Sequence, residues 1–174
     1  YKLETDVSAS GMAAITTAFT GTFDGNGYTI SNLGHALFNS VNGGTVKNVI
    51  LDNVTISAGT NAGAICNEAK GATRIYNCGV LATDSEVETD EDGYTSISSC
   101  SSTISGTNYV GGIVGLLDGT SRVINCFSYA NVSGGSFVGG IVGYNNVETT
   151  ANNLKSMVMN CMFYGEVSGS SIAP

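Results

Sequence analysis

Apolar and polar positions along this chain alternate in short runs and then break. In Val123-Ile124-Asn125-Cys126-Phe127-Ser128-Tyr129, residues Ile124, Cys126 and Ser128 fall on one face and Phe127 and Tyr129 on the other, a period of two. Gly, Asn and Ser punctuate such runs every five to ten residues, and no window keeps a helical period over three turns. The pattern predicts short strands joined by bends.

The runs also repeat. Val110-Gly-Gly-Ile-Val-Gly115 returns 28 residues later as Val138-Gly-Gly-Ile-Val-Gly143, and each copy leads to an Asn-Cys pair and then a Val-Ser-Gly. Two anchors recur more widely. One is an apolar pair: Leu37-Phe38, Ile65-Cys66, Ile113-Val114 and Ile141-Val142. The other is a polar residue before an apolar one: Asn32-Leu33, Asn48-Val49, Asn77-Cys78, Ser99-Cys100, Asn125-Cys126 and Asn160-Cys161. The last repeat is lengthened by an Asn- and Thr-rich insertion from Asn145 to Ser156. Repetition on this scale is the signature of a solenoid, in which each unit buries its apolar face on its neighbours. Short strands with bends make it an all-β chain, a parallel β-helix of about five short, irregular coils, about 25 Å tall at about 4.8 Å per coil. One domain spans 1–174: an entry coil over 1–33, coils over 34–80, an irregular acidic insertion and coil over 81–109, and two regular repeats over 110–174.

The recurring Asn residues, Asn48, Asn77, Asn125 and Asn160, predict a structural column. Bends leave backbone groups unpaired, and an amide carries both a donor and an acceptor with which to satisfy them and its own copy in the next coil. The glycine pairs 111–112 and 139–140 read as positions of positive φ or close backbone approach, not as phosphate loops. Cys78, Cys100, Cys126 and Cys161 fall at one place in the repeat and read as stacked, reduced, buried small hydrophobes. With Cys66 they make five, so full pairing is impossible, and one His and no C-x-x-C argue against zinc.

Composition narrows the function classes. Six Lys+Arg against 14 Asp+Glu give a net charge of −8, too little positive charge for nucleic acid or an anionic membrane surface. The longest uncharged apolar stretch, Val110–Leu117, is too short to span a bilayer. The start at Tyr1 without a signal peptide reads as a mature or excised piece of a larger secreted protein.

Val110-Gly-Gly-Ile-Val-Gly115, Ile124-Asn-Cys126 and Val132-Ser-Gly134 resemble the GLUG motif repeats of bacterial secreted and surface proteins. The second copy, from Val138 to Gly169, resembles it apart from its insertion, and Phe19 to Leu33 resembles the segment that precedes such repeats. The resemblance implies a right-handed parallel β-helix in an extracellular or cell-surface setting, and it brings no catalytic residues.

Candidate chemistry is sparse. The acidic run Glu86–Gly93 reads as a solvated protruding loop rather than a Ca²⁺ site, since it lacks the spacing of known calcium loops. Acids do not recur along one sheet as a glycan-cleaving β-helix would need, and Glu166 aligns with Asn131. His35 reads as a turn residue. The aromatic stripe of Phe127, Tyr129, Met162 and Tyr164, opposite the inward cysteines, is the candidate ligand contact. The reading is a non-enzymatic surface module without cofactor or metal, adhesin-like or a spacer, whose partner is a surface glycan or a host or bacterial protein. The alternative is a glycan-binding or glycan-degrading β-helix.

Overall fold

A computed structural model describes residues 1–93, 95–147 and 155–170. The chain winds as a parallel β-helix whose full coil has five short strands, each stacked on its copies in a separate ladder. The first ladder holds Thr22–Asp24, Thr45–Lys47, Arg74–Tyr76, Arg122–Ile124 and Met157–Met159. The second holds Val7–Ser8, Thr29–Ser31, Ile50–Asp52, Gly79–Val80, Phe127–Ser128 and Met162–Phe163. The third holds Thr55–Ser57, Thr103–Gly106, Asn131–Gly134 and Val167–Gly169, and the fourth Asn61–Gly63, Tyr109–Gly111 and Val138–Gly139. Phe38–Asn42, Cys66–Lys70, Val114–Leu117 and Val142–Asn145 form the fifth.

Register follows the alternation. In the first ladder Phe23, Val46, Ile75, Val123 and Val158 are in line. Val46, Ile75 and Val123 are fully buried. The apolar anchors line up as expected: Phe38, Cys66, Val114 and Val142 are register partners. Each buried Val or Ile contributes roughly 1.5–3 kcal/mol relative to exposure, so the core is a sum of small columns rather than one centre.

The repeat's glycines lie where backbones meet. Gly111 and Gly115 have no positive φ; a Cβ on either would strike backbone atoms of the facing fourth or fifth ladder, Gly143 N in one case and Tyr109 O in the other. Of the two roles open to these positions, close approach is the one used. Val-Gly-Gly-Ile-Val-Gly is the sequence of a tight fold-back between these two ladders.

Two register expectations need correction. Asn32-Leu33 is not equivalent to Asn48-Val49: Ser31 pairs with Asp52, so Asn32 matches Asn53 at the next corner, and Gly25 holds the place of Asn48 in its coil. Ser99-Cys100 starts no new coil. Residues Glu86–Thr89 and Thr95–Ser99 form an antiparallel hairpin that leaves the third coil after Val80 and returns before Thr103. Cys100 is therefore its re-entry point, and Cys78 already occupies that coil's place in the cysteine column.

Candidate functional site

The Asn residues predicted to form a structural column have a backbone reason to stand at the bends. Asn48, Asn77, Asn125 and Asn160 all adopt φ between 50° and 53°. Asn tolerates this left-handed region better than other side-chain-bearing residues. The amides then bond in series. Asn125 Nδ2 donates to Asn77 Oδ1 at 3.3 Å, Asn77 Nδ2 to Asn48 Oδ1 at 3.2 Å, and Asn48 Nδ2 to Asp24 Oδ1 at 2.9 Å. Asp24 ends the series where Gly25 lacks an amide. The Asn48 amide, the Asn26 N–H and then Lys47, 3.2 Å away, hold its carboxyl below the usual range, and the Lys47 ammonium is raised in turn.

After each Asn comes the inward column Val49, Cys78, Cys126 and Cys161. Each thiol lies near the carbonyl oxygen two residues back: 3.4 Å from Cys78 to Tyr76, 3.3 Å from Cys126 to Ile124 and 3.2 Å from Cys161 to Met159. All five cysteines are free; Cys66, Cys78 and Cys126 are buried, whereas Cys100 and Cys161 are half-buried. The bond with Cys161 lowers the Cys126 thiol, but the bond with Cys78 and burial outweigh it, leaving it pushed up to about 12. The bond to Cys126, followed by burial, raises Cys161, and burial raises Cys66. Thiols so protonated are poor nucleophiles and poor metal ligands. Cys100 stands apart, its Sγ near Ser102 O at 3.1 Å and Tyr129 O at 3.4 Å.

The predicted aromatic stripe is brought together. Phe127 pairs in register with Met162. Tyr129 stacks on Tyr164, with centroids 5.0 Å apart and planes 11° from parallel, and Phe127 meets Tyr129 edge-on at 5.9 Å. Tyr164 Oη lies 3.2 Å from Met162 Sδ. Tyr129, Met162 and Tyr164 are exposed, whereas the half-buried ring of Phe127 lies across Gly79 of the preceding coil. Of the 145–156 insertion, residues 148–154 lie outside the described residues; its base is closed by Ser156 Oγ, which bonds Asn145 Oδ1 and Asn146 O.

A second aromatic cluster escaped the sequence reading. Tyr109 stacks on Tyr144 at 4.8 Å and 20°, and Phe137 leans on both, at 5.4 Å and 5.2 Å. Phe137 has φ 52°, the one described residue other than Asn or Gly with positive φ, at a cost of order 1–3 kcal/mol for so bulky a side chain. The signal was present, since each copy of Val-Gly-Gly-Ile-Val-Gly is preceded by an aromatic residue, Tyr109 or Phe137. Beside this cluster lies a polar cleft of about 260 Å³ lined by Asn39, Asn61, Asn67 and Glu68.

Elsewhere the chemistry is structural. His35 brackets two segments, its ring nitrogens each 2.8 Å from a carbonyl oxygen, of Ala36 and of Met12. The acidic tip from Glu88 to Gly93 is exposed. Glu166 donates its backbone N–H to Asn131 Oδ1 at 2.9 Å, across the pairing the alignment placed there. Among the described residues, no three His, Cys, Asp or Glu are grouped to hold a metal ion, and no helix is long and apolar enough to cross a membrane.

Comparison with known proteins divides the chain. Residues 1–81 match the N-terminal region of the M26 IgA1-specific metallo-endopeptidases. An immunoglobulin A1 protease of Streptococcus sanguinis is 42% identical over 84 residues, covering 47% of this chain and 4% of that protein. One from Streptococcus pneumoniae is 37% identical over 86 residues, covering 45% of this chain and 4% of that protein. The chain thus spans about 4% of the length of these curated relatives. The crystal structure of a candidate immunoglobulin A1 protease from Bacteroides ovatus shares the fold. It superposes with a TM-score of 0.67 at 21% identity, over 99% of this chain and 55% of that one. Both Val-Gly-Gly-Ile-Val-Gly copies lie beyond the matched 1–81.

Proposed function

We propose that this chain acts as a non-catalytic, extracellular β-helical module within a larger surface protein of the protease kind that its first half resembles. The observation that carries the reading is the match of residues 1–81 to the region N-terminal in those endopeptidases, on a fold whose polar columns are used up in holding coils together. The amides bond each other, and the Cys66, Cys126 and Cys161 thiols are held protonated. Of the acids, Asp24 and Glu68 are paired with lysines, while Asp6, Asp52 and Asp84, which line one cleft, accept bonds from Thr29, Thr83 and Asn53. Such a stack is stiff along its axis and suits holding other parts at a fixed distance. The two Val-Gly-Gly-Ile-Val-Gly copies support assignment to GLUG-type repeats, with the surface setting that implies. Incubating the purified chain with immunoglobulin A1 and Zn²⁺, and following fragments by electrophoresis, tests the first part. No cleavage is expected, and hydrolysis by this chain alone would refute it. Labelling of intact source cells with an antibody to the chain tests the location.

A second reading has its own observation, the exposed Tyr129–Tyr164 stack. Under it the module contacts a surface glycan or a partner protein through this stripe, in adhesin-like fashion.

A further inference from the structure

We propose that the Tyr109–Phe137–Tyr144 cluster and the cleft beside it form a binding site for a neutral oligosaccharide, a ligand added to the module reading and independent of it.

The site is built by register. Tyr109 pairs directly with Asn61 of the coil before, and Leu116 stands between Glu68 on one side and Tyr144 on the other. The aromatic shelf and the polar cleft are therefore consecutive stretches of one surface running along the helix axis. Successive coils are about 4.8 Å apart, close to the repeat of sugar units along an oligosaccharide. One unit could thus sit per coil.

The chemistry of the two ends differs in a way that selects the ligand. The shelf offers stacked rings with Phe137 exposed, and aromatic faces carry partial negative charge that attracts the weakly positive C–H face of a sugar. The cleft offers three amides and one carboxylate. Glu68 is a carboxylate, bonded by Asn61 Nδ2 at 2.8 Å and by Lys70 at 2.5 Å. Asn61 Oδ1 is shielded from solvent and has no hydrogen-bond partner. A shielded acceptor left open is costly, and a ligand that donates removes the cost. Sugar hydroxyls donate, whereas a proline-rich peptide, the other ligand that aromatic shelves favour, has few N–H groups to give. The net charge of −8 disfavours acidic sugars.

The backbone of Phe137 is a second, independent pointer. Strained residues persist where surrounding contacts demand them and concentrate at binding sites. Glycine would hold φ 52° without strain, yet an aromatic ring stands there.

The test is a glycan array carrying neutral, sialylated and uronic oligosaccharides, with hits titrated calorimetrically and decaproline as the peptide probe. A neutral glycan is expected to bind, and its affinity to fall at least about tenfold in Phe137→Gly and in Tyr144→Leu, the latter copying Leu116 of the preceding coil. Phe137→Gly is expected to melt no lower than the parent. Binding only by acidic glycans, binding by decaproline instead, or no binding by any neutral glycan overturns the proposal. So does an affinity that both substitutions leave unchanged.

Discussion

The ring of Phe127 lies over Gly79, its register partner one coil earlier, so closely that glycine alone leaves it room. A Cβ there would sit inside van der Waals contact of three ring carbons. Gly79→Ala must therefore lift the ring and disturb its edge-on contact with Tyr129, and overpacking of this kind costs typically about 1–3 kcal/mol. Gly59 has nothing within 4 Å of its Cβ position and no positive φ, so Gly59→Ala is the control and should melt like the parent. Equal melting of the two variants would mean the ring has another place to go.

The asparagine series makes a different prediction, because each member does two things. Asn125→Ala removes the bond to Asn77 and puts alanine at φ 52°, for a combined loss of about 1–3 kcal/mol. Asn125→Gly also loses the amide but relaxes the backbone, so it should recover part of that loss. Denaturant melts of the pair separate the two contributions. If alanine and glycine melt alike, backbone strain plays no part; if neither lowers stability, the column is not structural.

How far these features could be read in advance depends on whether they recur at fixed offset. The inward apolar positions and the Asn-Cys anchors do recur, so the coil, the amide column and the Phe127–Met162 pairing followed from alignment of copies. Asn32-Leu33 and Ser99-Cys100 look like copies of the same anchor because a local dipeptide does not reveal which corner of a five-strand coil it occupies. Tyr144 was hidden for another reason. Its aligned residues are Leu116 and Glu68, so no repetition marks it, and only the fold-back at Gly111 and Gly115 brings it against Tyr109.

Thiol chemistry should separate native from unfolded chain. In denaturant, titration should find five free thiols. In the native state at pH 8, Cys126, with its thiol pushed up to about 12, should alkylate far more slowly than a free cysteine. Mass spectrometry of timed iodoacetamide reactions reads this directly. Fast native labelling of Cys126, or fewer than five thiols in denaturant, would contradict the stacked, reduced column.

Asp24 sets an acid limit. Its folded-state carboxyl is held below the usual value, first by the Asn48 amide and then by the Asn26 N–H. A group depressed on folding contributes stability above its unfolded value, near about 3.9, and loses it as pH falls through the lower folded value. The parent should therefore be more stable than Asp24→Asn at neutral pH, and the gap should close as pH is lowered below about 4. Melting curves at several acidic pH values check this. A gap that widens toward low pH would reverse the sign and refute the assignment.

The Tyr129–Tyr164 stripe can be tested apart from the fold because its outer members carry little of the core. Tyr164 is 56% exposed and Tyr129 38%, so truncating either loses mainly the stacking, worth about 0.5–1.5 kcal/mol beyond area. Tyr164→Ala should shift melting slightly, and the double substitution no more than the two shifts summed, because one contact is removed twice. If the stripe is a contact face, whole-cell adhesion or partner capture should fall sharply in both single variants while melting barely moves. Adhesion that survives both substitutions would assign the stack to coil stiffness alone. Adhesion that survives them but falls in Phe137→Gly would place the contact on the Tyr109–Phe137–Tyr144 cluster.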